Sequence, residues 1–126
     1  TGSFTSTDIE LQSVEMDGSL TQTPEFPYNW MYDGSRPQMP GFEMEITCKS
    51  LFLIFKDSGE MDVGKADVFV NDVYCMTADP HKNNWLHCNA VLLFWETESR
   101  SHKVRITVTE EDQNKKFTIL GFGYTI

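Results

Sequence analysis

The sequence FEMEITCKSLFLIF, at residues 42–55, decides the fold class. In its first half, Phe42, Met44 and Ile46 alternate with glutamates and a threonine, which predicts a β-strand with one face in the core and the other in water. Its second half, residues 51–55, is apolar at every position, as is typical of a strand that is covered on both faces. Two strands of this kind place β-structure at the centre of the chain.

The rest of the chain follows the same two patterns between turn signals. Asn71-Asp72 predicts a tight hairpin turn. No window has a convincing helical period. Together with one or two short strands in residues 9–16, about eight antiparallel strands predict an all-β fold, a β-sandwich of jelly-roll type. The other strands are predicted at residues 66–70, 73–76, 90–95, 103–109 and 117–124.

Directly before the deciding stretch lies an aromatic loop, PEFPYNWMYDGSRPQMPGF, at residues 24–42. Its four prolines exclude a helix, because proline lacks an amide hydrogen and pushes the preceding residue into extended geometry. Its five aromatic residues argue against disorder. We predict an ordered loop that either buries its rings as a plug at the end of the β-structure or presents them to a ligand.

The length and charge of the chain limit its functions. Residues 1–126 form one domain, since 126 residues suffice for a single core. A net charge of −9 argues against nucleic acid and anionic membranes as partners. No apolar run approaches the roughly 20 residues that span a bilayer. The opening Thr1-Gly2-Ser3 indicates a domain boundary, so we expect further sequence upstream. Neutral ligands, such as uncharged polysaccharides, and cations stay open as partners, and we expect a monomer.

The cysteines do not indicate a disulfide framework or a zinc site. There are three, Cys48, Cys75 and Cys88, and an odd number leaves at least one thiol unpaired, although one pair is possible. His81, His87 and Cys88 share a loop, but their spacing fits no standard zinc pattern. We therefore predict no cofactor. A structural calcium ion is possible, because four aspartates near turns can supply oxygen ligands: Asp33, Asp57, Asp62 and Asp67.

Catalytic residues are not evident in the sequence. Residues 16–20 superficially resemble the GDSL block of esterases, but the first two letters are reversed and no strand-to-helix setting surrounds Ser19. No other nucleophile with a base is apparent. We predict that the chain is not an enzyme.

Two loops with a tryptophan beside polar side chains give the functional signal. Sugars are bound by aromatic rings that stack on the pyranose C–H face and by planar groups that bond to the hydroxyls. We predict that three residues stack: Trp30, Tyr32 and Trp85. We predict that five form hydrogen bonds: Asn29, Asp33, Arg36, Asn83 and Asn84. Burial of one or both tryptophans in the core is the alternative, and Trp95, on a strand face, is the reserve platform residue.

Six stretches carry a family pattern: YNW at 28–30, DG at 33–34, ITCKSLFLI at 46–54, GKADVFVND at 64–72, HKVRI at 102–106 and FTILGFGY at 117–124. They resemble accessory β-sandwich domains of clostridia-like anaerobic bacteria, which are attached to SGNH (GDSL)-type esterases and enzymes that degrade plant polysaccharides. Several jelly-roll carbohydrate-binding modules are similar. The resemblance implies a secreted, non-catalytic module of a larger enzyme, in the setting of plant cell-wall degradation and cellulosomes.

From these observations we expect a carbohydrate-binding module that targets a covalently linked catalytic domain to a plant polysaccharide of the β-glucan, xyloglucan, mannan or xylan class. The alternative is a structural β-sandwich domain that packs against an SGNH-type esterase domain and binds no glycan. Under both interpretations, the resemblance implies that the domain is secreted.

Overall fold

The computed structural model describes residue 4 and residues 12–14, 20–24, 29–33, 41–58, 60–81 and 88–126. These residues contain eight strands and one short 3-10 turn, Glu110–Asp112. No helix in these ranges is long and apolar enough to cross a membrane. The all-β prediction is confirmed. The strands are β1 (Gln12–Val14), β2 (Leu20–Pro24), β3 (Trp30–Tyr32), β4 (Phe42–Lys56), β5 (Ala66–Val70), β6 (Val73–Ala78), β7 (Cys88–Val108) and β8 (Phe117–Thr125).

Six strands form one antiparallel sheet in the order β3-β8-β4-β7-β5-β6, while β1 and β2 pair separately. Strand β4 pairs along its whole length with residues 88–106 of β7. The sequence predicted two separate strands within each of them, and this was wrong. The buried positions of β4 change phase once, between Cys48 and Leu51, next to the register shift with β7 between Cys48 and Ser50. A β-bulge changes the phase in this way without ending the strand.

The long strands β4 and β7 run through both halves of the sheet, and the two halves enclose one core. In one half, β8 pairs with residues 50–55 of β4. In the other, β5 pairs with residues 104–108 of β7. The ring of Phe42, from the second of these halves, contacts Trp30 of β3 at 5.5 Å and Phe122 of β8 at 5.7 Å between ring centroids. The two halves therefore pack against each other like the layers of a sandwich.

The predicted hairpin turn between β5 and β6 is confirmed. Asn71 and Asp72 have φ angles of 53° and 64°. Two consecutive residues with positive φ form the mirror-image turn that matches the twist of a hairpin, and Asn and Asp tolerate this region better than other non-glycine residues. Asn71 also forms three hydrogen bonds to β7. Its backbone N–H donates to the Lys103 carbonyl, its side-chain oxygen accepts from the Lys103 N–H, and its side-chain NH₂ donates to His102 Nδ1 at 2.9 Å.

Asp112 joins the 3-10 turn to the residues before β5. Its carboxylate accepts a hydrogen bond from the Lys65 backbone N–H at 3.0 Å, and the Lys115 ammonium lies 3.5 Å from its other oxygen. The bond from Lys65 is the main reason why the pKa of Asp112 is lower than its ordinary value of 3.8; partial burial opposes this, and Lys115 adds to it. A carboxyl group whose pKa is lowered by folding stabilises the fold when ionised.

We therefore expect the contribution of Asp112 to be complete above its ordinary pKa of 3.8 and to be lost as the pH falls through the lowered value. The measurement is urea unfolding from pH 5 to pH 2, with Asp112→Asn for comparison. The free energy of unfolding of the original protein should fall more steeply with acid than that of the variant. Parallel pH profiles would contradict this role of Asp112.

Candidate functional site

The first predicted site, around β3, lies largely in the core. The Tyr32 side chain is only 1% exposed, and its hydroxyl donates to the Gln113 carbonyl at 2.5 Å. Burial raises the pKa of the Tyr32 phenol, and the nearby Asp33 carboxylate raises it further. The prediction that Tyr32 stacks on a sugar was wrong, because its ring packs against Phe4 and has no face open to a ligand. Asn29 is also buried, so its predicted hydrogen bond to a ligand is withdrawn.

Trp30 and Asp33 are half-buried. Trp30 packs against the rings of Phe42 and Phe122, with centroids 5.5 and 6.3 Å away. This packing agrees with the interpretation of the aromatic loop as a plug, at least for the part that the structure describes. Four predicted ligand-binding residues lie outside the described residues: Arg36, Asn83, Asn84 and Trp85.

A metal site does not emerge from the described residues. No group of three or more His, Cys, Asp or Glu side chains in those ranges is arranged to hold an ion. Of the four aspartates named as possible calcium ligands, Asp57 is buried, and neither of its carboxylate oxygens has a hydrogen-bond partner among the described residues. The His81 ring donates from Nε2–H to the Val63 carbonyl at 2.6 Å, and the His81 backbone N–H donates to the Asp79 carboxylate. His81 therefore has a structural role in its loop.

Three large apolar side chains are exposed on a different surface, those of Phe52, Leu92 and Trp95. We call this surface the apolar platform. The exposed fractions of these side chains are 41%, 52% and 78%. Phe52 lies directly opposite Leu92, and Trp95 lies opposite Ser50, one row further along β4. Directly opposed residues of antiparallel strands share a face, and diagonal neighbours lie roughly 7–8 Å apart. The three side chains therefore form one continuous surface on the outside of the sheet.

Strand β8 leaves one side of this platform open. Gly123 lies opposite Phe52, and Gly121 lies opposite Ile54. A methyl group added at Gly121 would meet no atom within 4 Å, and one at Gly123 would meet only the Phe52 Cβ, at 3.8 Å. At the end of the platform, the Ser50 and Thr125 hydroxyls bond to each other at 2.7 Å. The surface is thus apolar and open on the side of β8.

The sequence identified only part of this platform. Trp95 was the reserve residue, and its exposure is confirmed. Phe52 and Leu92 were missed, because their strands are apolar on both faces and were predicted to be covered on both. The structure leaves the outer face open, which corrects that prediction. The open outer face could have been predicted from Gly121 and Gly123 in β8. A strand that is covered by a second layer seldom has glycine at alternate positions, because glycine has no side chain to pack there.

Comparison with solved structures finds proteins that are similar to part of this chain. No protein-family model matches the chain, and no curated protein matches it. One similar structure is a family two carbohydrate esterase from Clostridium thermocellum in complex with cellohexaose, with 14% identity and a TM-score of 0.47. Another is an acetyl xylan esterase from the rumen bacterium Butyrivibrio proteoclasticus, with 15% identity and a TM-score of 0.47.

Both alignments cover 65% of this chain but only 23% and 22% of the two esterases. The chain thus spans less than a quarter of the length of either neighbour. These neighbours are carbohydrate esterases of a Clostridium and of a rumen bacterium.

Proposed function

We propose that this chain is a non-catalytic carbohydrate-binding module, which holds a covalently linked enzyme on a neutral plant polysaccharide outside the cell. The observation that supports this function best is the apolar platform, with its tryptophan 78% exposed on the outer face of the sheet. An indole in this position costs free energy in water unless a ligand covers it. A polysaccharide can do so with the C–H faces of its sugar rings.

The charge of the chain favours a neutral ligand. With 19 acidic and 10 basic residues, the domain repels polyanions at neutral pH. Chains of β-linked glucose, mannose or xylose are uncharged and extended, which suits an open platform. Each stacked ring contributes roughly 0.5–1.5 kcal/mol beyond its buried area. A surface with a few such contacts binds in the micromolar-to-millimolar range.

Replacement of Trp95 tests the proposal. We expect affinity gel electrophoresis to show retardation of the domain by at least one soluble β-linked glycan, among β-glucan, xyloglucan, mannan and xylan. In Trp95→Ala the affinity should fall about tenfold, equivalent to about 1.4 kcal/mol. The thermal midpoint should change little, because the side chain is exposed.

The matched control is Met61→Ala, at a residue that is 89% exposed and lies in a turn between β4 and β5. This variant should bind like the original protein. No retardation by any glycan would contradict the proposed function. Equal retardation of Trp95→Ala and the original protein would remove the platform from it.

A second candidate function, a structural domain that packs against a catalytic domain, is favoured by the aliphatic part of the same face. Leu92 is exposed beside Ile54 and Ala90, and exposed apolar patches often mark contacts between proteins. In that case the isolated domain binds no glycan. Acrylamide would then quench the fluorescence of Trp95 in the isolated domain but not in the full-length parent protein.

A further inference from the structure

The outer face of the other half of the sheet carries a second set of aromatic and polar side chains. One row crosses four strands and consists of Glu43 in β4, Arg105 in β7, Phe69 in β5 and Tyr74 in β6, each directly opposite the next. We call it the mixed row. Their inward-facing neighbours, such as Val68 and Val104, are buried, so the alternation of the strands directs the four side chains outward.

Contacts within the mixed row hold its side chains in place. The Arg105 guanidinium lies over the Phe69 ring, 4.2 Å from its centroid. The Tyr74 ring meets Phe69 edge to face at 6.0 Å and is 57% exposed. Its hydroxyl bonds to Thr77 at 2.8 Å, and Thr77 in turn donates to the Asp67 carboxylate at 2.6 Å. Little side-chain entropy would therefore be lost if a ligand bound here.

The guanidinium remains available for a ligand. In the described part of the chain Arg105 forms no ion pair, although Glu43 is its cross-strand neighbour. A stacked guanidinium offers several N–H donors in a fixed plane, and the adjacent carboxylates of Glu43 and Asp67 offer acceptors. Carboxylates beside the arginine disfavour an anionic ligand. Vicinal hydroxyls, which accept from a guanidinium and donate to a carboxylate, fit both kinds of group.

We propose that the mixed row is a second glycan-binding surface, which takes the hydroxyl groups of a neutral sugar while Tyr74 contacts its ring. This inference rests on the proposed function and extends it. The apolar platform lies on residues 50–52 of β4 and 92–95 of β7, whereas the mixed row lies beyond the register shifts, on the half of the sheet across the core. The module therefore binds two separate saccharide chains, one by each half.

An NMR titration with cellohexaose, mannohexaose and xylohexaose tests this inference in the full 126-residue domain. With the hexasaccharide that binds, we expect amide shifts in two separate groups, residues 50–52 with 92–95 and residues 67–77 with 103–107. Trp95→Ala should abolish the first group only. Tyr74→Ala should abolish the second group only, and the double variant should lose both.

Arg105→Lys is a milder second variant, which keeps the charge but loses the planar donors. In this variant the amide shifts of the second group should be at least fivefold smaller, while the spectrum remains that of a folded domain. Loss of both groups in Trp95→Ala, or shifts at residues 67–77 that neither Tyr74→Ala nor Arg105→Lys changes, would overturn the second surface and leave the proposed function standing. Absence of shifts with all three sugars, together with no retardation by any polysaccharide, would overturn both.

Discussion

Replacement of Phe42 by alanine should lower the free energy of unfolding by roughly 3–5 kcal/mol, the usual cost of truncating a buried aromatic residue. Phe42 is 1% exposed, and its ring meets those of Trp30, Phe122 and Phe4. It lies where the two halves of the sheet meet, so the cavity would separate elements that are far apart in sequence. Domains of this size are stable by about 5–15 kcal/mol, so a large share of the stability would be lost.

Phe52→Ala, in the same strand, is the matched control. Phe52 is 41% exposed on the apolar platform, and its removal leaves no closed cavity. We expect urea unfolding to give a cost of about 1 kcal/mol, well below that of Phe42→Ala. Equal costs for the two variants would contradict the placement of the core between the two halves of the sheet.

The strands were predictable because their signal is local. Phe42, Met44 and Ile46 alternate with charged residues, and a period of two residues indicates a strand whatever its partners are. The continuity of β4 and β7 was not predictable. It depends on bulges near Cys48 and Leu51, which form only when the partner strand is present to pair on both sides of the extra residue.

The candidate site was predicted less well than the fold, for a related reason. Tyr32 and Trp30 look alike in sequence, as rings in a proline-rich loop, but their exposure is decided by residues that are distant in the chain. Phe117 lies opposite Tyr32, and Phe42 and Phe122 contact Trp30. Burial of a side chain depends on such contacts and not on its sequence neighbours. Trp95 is exposed because no described element covers its face of the sheet.

A second large effect is expected at Gly41, immediately before β4. Its φ angle of +85° lies in the region that side chains disfavour. A Cβ at this position would lie 2.6 Å from the Ile106 carbonyl oxygen and 2.6 Å from the Thr107 Cγ2. A methyl group of Thr107 can rotate away, but the carbonyl belongs to the β4–β7 ladder and can move only if the pairing of Phe42 with Ile106 shifts. Gly41→Ala should therefore cost at least about 2 kcal/mol, from backbone strain and lost pairing together.

Gly121→Ala is the control that separates this effect from the general consequences of replacing glycine. Gly121 lies within β8 and has open space where a Cβ would be placed. Alanine there should change the free energy of unfolding by no more than about 0.5 kcal/mol. Hydrogen exchange should also differ between the variants, because Gly41→Ala should speed exchange of the amides of residues 42–46 and 102–106, which pair next to it. If the two alanines had equal effects on stability and exchange, the close approach of Gly41 to the Ile106 carbonyl would not be what requires glycine at this position.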